Sequence, residues 1–222
     1  MEKIPGKSLV LKRNNFRSVN VEIVNEFTTL VPAALFREED AEKFFSFNFK
    51  PGDDLLKSEK IPAFDAVNVY AYPKSLDVSI QTIFQKPVIH HQSTVLLQAI
   101  HLQFKKFTEK SLLIHVRSGF VDIVVTEGKQ LIFINSFPFA TVDDLAYYVM
   151  FVCDRLQLNP ETTRTSLAGH VEEESTLFHL LYKYIKNISF VNRPDVFEYS
   201  YVFDDVPAHF YYHLFNLPLC ES

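Results

Sequence analysis

Three β-strands in direct succession, predicted between residues 111 and 139, constrain the fold of this chain more than any other feature. The segments 112–117, 120–126 and 131–137 are rich in valine, isoleucine and phenylalanine, which favour strands. Short turns that contain Ser118-Gly119 and Glu127-Gly128-Lys129 separate the three segments. The sequence therefore predicts a three-stranded meander, which opens the second half of the chain.

The composition is that of an ordinary globular protein. A chain of 222 residues that is 47% hydrophobic can bury the core of one large domain or of two smaller ones. Its net charge of −5 and the lack of a large basic cluster argue against nucleic acid as a partner. The longest apolar run, about residues 145–152, is too short for a membrane span, so we expect a cytoplasmic protein without one.

Glycine and cysteine are both scarce, and their scarcity excludes several kinds of site. The chain has five glycines, and no two lie close enough for a phosphate-binding loop of the Walker or dinucleotide type. Its two cysteines, Cys153 and Cys220, form neither a disulfide framework nor a metal-binding pair, so free thiols are expected.

The order of predicted elements suggests an internal duplication. In residues 109–222 the meander is followed by a helix capped by Thr141, a strand at 163–168, a helix at 173–188, a strand at 196–203 and a helix at 207–217. Residues 1–108 give strands at 7–12, 17–24, 63–72 and 86–91, helices at 33–49, 75–84 and 93–107, and a polar loop at 50–60. The second half therefore reads βββαβαβα and the first half ββαβαβα. Each half predicts a mixed α/β layer structure with its own core.

This order resembles the actin-like ATPase superfamily, whose two halves each have a ribonuclease-H-like fold. The superfamily's second phosphate-binding hairpin reads roughly Asp-x-Gly-Gly-Gly-x-x-Asp, and here residues 115–122 read His-Val-Arg-Ser-Gly-Phe-Val-Asp. Gly119 and Asp122 match this pattern. The leading aspartate is replaced by His115, and two glycines are replaced by Arg117 and Ser118.

A second turn extends the resemblance. The superfamily's adenosine-contacting turn falls at residues 167–170, Leu-Ala-Gly-His, where Gly169 is retained. The first phosphate hairpin has no counterpart, because the first half lacks its leading strand. Within the superfamily the chain is similar to a bacterial family of uncharacterised proteins, distantly related to the pilus-assembly and cell-division branch. Residues 30–36, 207–214 and 219–221 carry this similarity.

The resemblance implies a nucleotide site that has lost its chemistry. Side chains at Arg117 and Ser118 would obstruct the close approach of phosphate to the backbone, and a histidine at position 115 suits softer metals than Mg²⁺. The degenerate site would comprise Arg117, Ser118, Gly119, Asp122 and Gly169. We therefore expect no cofactor, with ATP and Mg²⁺ disfavoured, and no catalysis.

These observations favour a protein-binding or assembly scaffold over an enzyme. The main alternative is a nucleotide-dependent actin-like ATPase or small-molecule kinase with an unusual phosphate site, in which Arg117 attracts the anion. A nuclease would need a cluster of carboxylates at strand ends, and none assembles around Asp122.

Two pairs of histidines are candidate metal ligands by their spacing. His209 and His213 are four residues apart on a predicted helix, the spacing of a metal pair, but the sequence offers no third ligand. His90 and His91 end a strand, where adjacent side chains point to opposite faces and cannot share an ion. We therefore expect no metal site and no catalytic residue.

Overall fold

The computed structural model describes residues 16–50, 52–104 and 106–221. Their contacts divide the chain into two compact units, the first ending at Val95 and the second beginning at Leu96. The division falls within one helix, α3 (Gln92–Phe104). A domain boundary between residues 108 and 109 stays a prediction.

The first unit contains two small sheets. Its strands are β1 (Asn20–Ile23), β2 (Thr28–Pro32), β3 (Asp54–Ile61), β4 (Ala66–Pro73) and β5 (Val88–His91), and its helices are α1 (Ala41–Ser46) and α2 (Lys74–Ile83). β1 and β5 form a parallel pair, whereas β2, β4 and β3 form an antiparallel sheet in that order. β4 is its central strand and is buried over seven consecutive residues, which explains its mostly apolar sequence. The polar exception, Asn68, donates a hydrogen bond to Thr94.

Two predictions for the first unit were wrong. Residues 50–60, predicted as a polar loop, include most of strand β3, which pairs with β4 along its whole length. All but one of the side chains of β3 are exposed or partly exposed. Its composition is therefore largely polar, and only the pairing with β4 identifies it as a strand. The predicted helix 33–49 reduces to a short 3₁₀ turn, Glu38–Asp40, and α1. The predicted strand 7–12 lies outside the described residues.

The second unit is built on one five-stranded sheet. Its strands are β6 (Lys110–Arg117), β7 (Phe120–Glu127), β8 (Gln130–Pro138), β9 (Arg164–Gly169) and β10 (Ile188–Phe190), and its further helices are α4 (Val142–Arg155), α5 (Thr176–Tyr184) and α6 (Tyr212–Asn216). The strand order is β10-β9-β6-β7-β8. β6, β7 and β8 are antiparallel neighbours, which confirms the predicted meander, whereas β9 and β10 are parallel to β6.

One face of this sheet packs on α4 and α5. Alternate residues of β6, such as Ile114, lie in a core with Leu145 and Val149 of α4 and Leu181 of α5. α4 begins with a capping box in which the backbone N–H of Asp144 donates to Thr141, whose own N–H donates to the Asp144 carboxylate. Because strand side chains alternate, the residues of β6 and β7 between these core positions lie on the opposite face.

The last part of the second unit differs from the sequence-based prediction. A strand at 196–203 was wrong: this stretch contains a 3₁₀ turn, Tyr201–Phe203, and the strand that follows α5 is β10. The final helix is shorter than predicted, because α6 begins only at Tyr212. The order βββαβαβα holds for the unit, but its last strand lies earlier in the chain than expected.

Candidate functional site

The candidate site begins at the hairpin that joins β6 to β7. Its two-residue turn is Ser118-Gly119, where Gly119 has a φ of +72°, a conformation that glycine adopts without strain. The hairpin register places His115 directly opposite Asp122 and Arg117 opposite Phe120. Ser118 and Gly119 are exposed at the turn, so the side chains that define the site are those of the two strands.

Asp122 is the centre of a buried hydrogen-bond network. Arg117 Nε lies 3.0 Å from Asp122 Oδ2, and Arg117 Nη2 lies 3.1 Å from Oδ1. His115 Nδ1 donates to Oδ2 at 2.9 Å, and the hydroxyl of Ser136 on β8 donates to Oδ1. The carboxylate of Asp122 on β7 therefore accepts hydrogen bonds at both oxygens from groups on the two flanking strands, β6 and β8.

Burial and charge fix the ionisation of this network. Burial by itself would raise the pKa of Asp122, but the hydrogen bond and charge interactions with His115 and Arg117 hold it well below its usual range. Burial lowers the pKa of His115 and outweighs the attraction of Asp122. The favoured state is an ionised Asp122 that is neutralised by Arg117, with a neutral His115 that carries its proton on Nδ1.

The hydrogen-bonding capacity of Asp122 is used within the chain. A carboxylate that holds a hydrated cation must offer oxygen lone pairs to it, and those of Asp122 are engaged by Arg117, His115 and Ser136. The guanidinium of Arg117 points back to Asp122 and stacks over Phe120, with 4.7 Å between its Cζ and the ring centroid. Arg117 therefore occupies the place of a cation beside the carboxylate.

The second part of the site is the turn that follows β9. Gly169 pairs with Val116 of β6 and has a φ of +89°. A Cβ at this position would lie 1.9 Å from the carbonyl oxygen of Val116, so no side chain fits there. Arg117 and Gly169 thus end two adjacent parallel strands, and the carboxyl ends of such strands form the usual ligand-binding edge of an α/β sheet.

The segment before α6 lies against this turn. The N–H of Gly169 donates to the carbonyl of His209 at 2.8 Å, and His209 Nε2 donates back to the carbonyl of Val171 at 2.6 Å. The ring of His170 contacts those of Phe210 and Tyr211, with centroids 5.4 and 5.2 Å apart. The backbone donor of Gly169 is therefore already used within the chain.

The structure separates the histidines that the sequence paired. His209 precedes α6 and its ring stacks on Phe190, with 4.0 Å between centroids. His213 lies in α6 and meets the ring of His115 edge to face at 5.2 Å. Among the described residues, no three histidine, cysteine, aspartate or glutamate side chains are placed to hold a metal ion.

Burial raises the pKa of the Cys153 thiol to about 11, which makes it a poor nucleophile.

The sequence did not predict a buried polar cluster in the first unit. His90 Nδ1 donates to Glu59, while His91 Nε2 donates to Asn25 at 3.3 Å, so the adjacent histidines have different partners. The residues Gln92, Ser93 and Thr94 that follow them are also buried. The available signal in the sequence was a run of five polar residues, His90 to Thr94, that ends β5 and begins α3. Such a run is unusual in a core.

No helix in the described part of the chain is long and apolar enough to cross a membrane. Comparison with curated proteins finds no significant match.

Solved structures share the fold of this chain. A Bacteroides thetaiotaomicron VPI-5482 protein with an actin-like ATPase fold and unknown function superposes with a TM-score of 0.76 at 26% identity, over 83% of this chain and 72% of that chain. A chain of the PilM-PilN type IV pilus biogenesis complex superposes with a TM-score of 0.63 at 13% identity, over 93% of this chain and 81% of that chain. The chain therefore has the fold of actin-like ATPases. The model of one protein family, Protein of unknown function (DUF3822), matches residues 2–188, and the chain belongs to this DUF3822 family.

Proposed function

We propose that this chain is a non-catalytic actin-like protein that acts as a protein-binding or assembly scaffold. The observation that carries the proposal is the bidentate pair of Arg117 with Asp122, in which an internal cation takes the position beside the carboxylate. An enzyme of this fold needs that carboxylate to hold a hydrated metal ion. In this chain the Asp122 carboxylate could bind a metal only after its buried ion pair with Arg117 is broken, which costs free energy.

The turn at Gly169 supports the same proposal. Nucleotide binding at a turn of this kind uses backbone donors that point into an open edge. In this chain the His209 carbonyl accepts the hydrogen bond of Gly169, and the rings of Phe210 and Tyr211 pack on His170. A nucleotide would have to displace this segment in addition to the Arg117–Asp122 pair.

A scaffold also needs a surface for its partner, and the second unit exposes large aromatic side chains. On α4, Tyr147 is 64% exposed and its ring stacks on that of Phe151, which is 40% exposed. Tyr201 is 81% exposed. Exposed aromatic residues of this kind are enriched at protein interfaces. A protein of the same fold occurs in the PilM-PilN type IV pilus biogenesis complex, which supports an assembly role for this chain.

We place this activity in the cytoplasm. The buried thiol of Cys153 is unpaired, as is usual in a reducing compartment.

The proposal is tested by an ATP hydrolysis and phosphotransfer assay on the purified chain with millimolar ATP and Mg²⁺. We expect turnover at background level for the wild type and for Asp122→Asn alike. Turnover by the wild type that Asp122→Asn removes would contradict the proposal and support the alternative, an ATPase or small-molecule kinase with an unusual phosphate site.

A further inference from the structure

We propose that the second unit holds a binding site for a small phosphate-type anion at the amino-terminal ends of β6 and β9. A cavity of about 250 Å³ lies there, lined by residues 106–111 together with Thr162, Arg164 and Asn187. These strand ends are opposite the edge that carries Asp122 and Gly169. The proposed anion site is therefore separate from the candidate nucleotide site.

The net positive charge of the residues that line the cavity favours an anionic ligand. Three cationic side chains, Lys106, Lys110 and Arg164, face one carboxylate, Glu109, which gives the cavity a formal charge of +2. No salt bridge joins any of the three cations to a carboxylate within the described residues. This concentration of positive charge occurs in a chain whose net charge is −5, so it is not a general property of the surface.

Two of the cations are held in place by the fold. Lys110 Nζ donates to the carbonyl of Leu156 at 3.0 Å, which uses one of its three donors and fixes its position. The guanidinium of Arg164 lies 4.1 Å from the ring centroid of Phe107, and the Phe107 N–H donates to the carbonyl of Phe104 at 2.8 Å. A stacked guanidinium keeps its edge N–H groups available, and these match the oxygens of a phosphate group.

The size and polarity of the cavity define the ligand class. Its volume lies below the range of about 300–1,000 Å³ that is usual for drug-sized ligands, which favours a small ligand. The hydroxyls of Thr108 and Ser111 line it beside the cations, and hydroxyls donate to phosphate oxygens as well. Inorganic phosphate or a small phosphate monoester has the matching charge and size.

Calorimetric titration of the full chain with inorganic phosphate, and in parallel with glycerol 3-phosphate, tests this site. Arg164→Gln removes the stacked cation. Arg155→Gln is the matched control, because Arg155 is also an exposed arginine stacked on a phenylalanine of the same unit, 5.2 Å from the ring centroid of Phe151, but lies outside the cavity. Chloride at equal ionic strength controls for non-specific screening.

We expect saturable binding of at least one of the two ligands that Arg164→Gln weakens by about tenfold or more and that Arg155→Gln leaves unchanged. Tighter binding of the ester would identify a phosphate monoester as the ligand, and equal or tighter binding of phosphate would identify the free ion. Absence of saturable binding, or equal weakening by both substitutions, would overturn the proposal. Lys106→Gln, which changes an exposed side chain, provides a second variant if Arg164→Gln does not fold.

Discussion

Arg117 and Asp122 form a two-pronged ion pair across the β6–β7 hairpin, with Nε 3.0 Å from Oδ2 and Nη2 3.1 Å from Oδ1. The Asp122 side chain is 4% exposed and that of Arg117 is 12% exposed. Removing one partner of an ion pair that is buried this deeply leaves the other charge buried and uncompensated, which strongly destabilises the folded chain. The stability of the second unit should therefore depend on these two residues of the candidate site.

Replacing Arg117 with methionine should leave Asp122 buried with its charge uncompensated. We expect Arg117→Met to lower the free energy of unfolding by about 3 kcal/mol, measured by urea denaturation. Arg155→Met, which changes an exposed arginine, should alter it by less than about 1 kcal/mol. A loss for Arg117→Met no larger than that of the control would show that the pair is not stabilised as described.

The neutral state of His115 predicts a pH dependence. Its pKa in the folded chain is lowered from 6.5, so below pH 6.5 the unfolded chain binds a proton that the folded chain does not. Stability should therefore fall as the pH drops below about 6.5, by at most about 1.4 kcal/mol per pH unit for this group. Asp122 adds no slope there, because its lowered pKa affects stability only below its unfolded value of about 3.9.

His115→Asn, which keeps a donor for Asp122, should reduce this slope in urea denaturation curves recorded at several pH values between 5 and 8. The pKa of His209 is also lowered by burial, so part of the slope should remain. His179→Asn, which changes an exposed histidine, is the matched control. Equal slopes for the wild type and His115→Asn would mean that folding does not lower the pKa of His115.

Two glycines with positive φ should respond differently to alanine. At Gly169 a Cβ would meet the backbone of Val116 at 1.9 Å, whereas at Gly119 nothing lies within 4 Å. Gly119→Ala should cost about 1–2 kcal/mol, the strain of the left-handed backbone alone. Gly169→Ala should cost more than about 4 kcal/mol or prevent folding. Thermal unfolding compares the two variants, and similar midpoints would contradict the close packing of β9 on β6.

Arg193 should hold the long segment between β10 and α6. Its guanidinium donates to the carbonyls of Phe203 and Val206 and lies 4.9 Å from the ring centroid of Phe215. Arg193→Lys keeps the charge but loses the planar guanidinium that lies over the Phe215 ring and whose Nη2 donates to both carbonyls. We expect faster cleavage by chymotrypsin at the exposed Tyr201 in limited proteolysis, whereas Arg37→Lys, on the exposed surface of the first unit, should leave the cleavage rate unchanged. Unchanged cleavage of Arg193→Lys would show that Arg193 does not restrain this segment.

Local sequence was sufficient for some parts of this fold and not for others. The meander β6–β8 was predictable because its apolar strands and short turns lie next to each other. Strand β3 was missed because its polar residues become a strand only by pairing with β4. Strand β10 has three residues, too few for a periodic pattern, and it is defined by its parallel pairing with β9.

The proximity of the candidate residues could be predicted, but their interactions could not, and their role as a ligand site stays a prediction. The resemblance to actin-like proteins identified Arg117, Asp122 and Gly169, and the structure places all three at one edge of one sheet. The hydrogen bonds from Arg117 and Ser136 to Asp122 depend on the directions of side chains on three strands. The spacing of these residues in the sequence does not specify those directions. The contact of His209 with Gly169 joins residues 40 positions apart, and no local pattern predicts it.

The central claim, that the nucleotide site no longer functions, is tested most directly by thermal unfolding with millimolar ATP or ADP, each with and without Mg²⁺. A nucleotide present at a hundred times its Kd would stabilise the folded chain by about 2.7 kcal/mol and raise the midpoint visibly. Arg164→Gln, measured in parallel, separates this site from the proposed anion cavity. We predict no Mg²⁺-dependent shift for either chain. A Mg²⁺-dependent rise with ATP or ADP that Arg164→Gln retains would contradict the account.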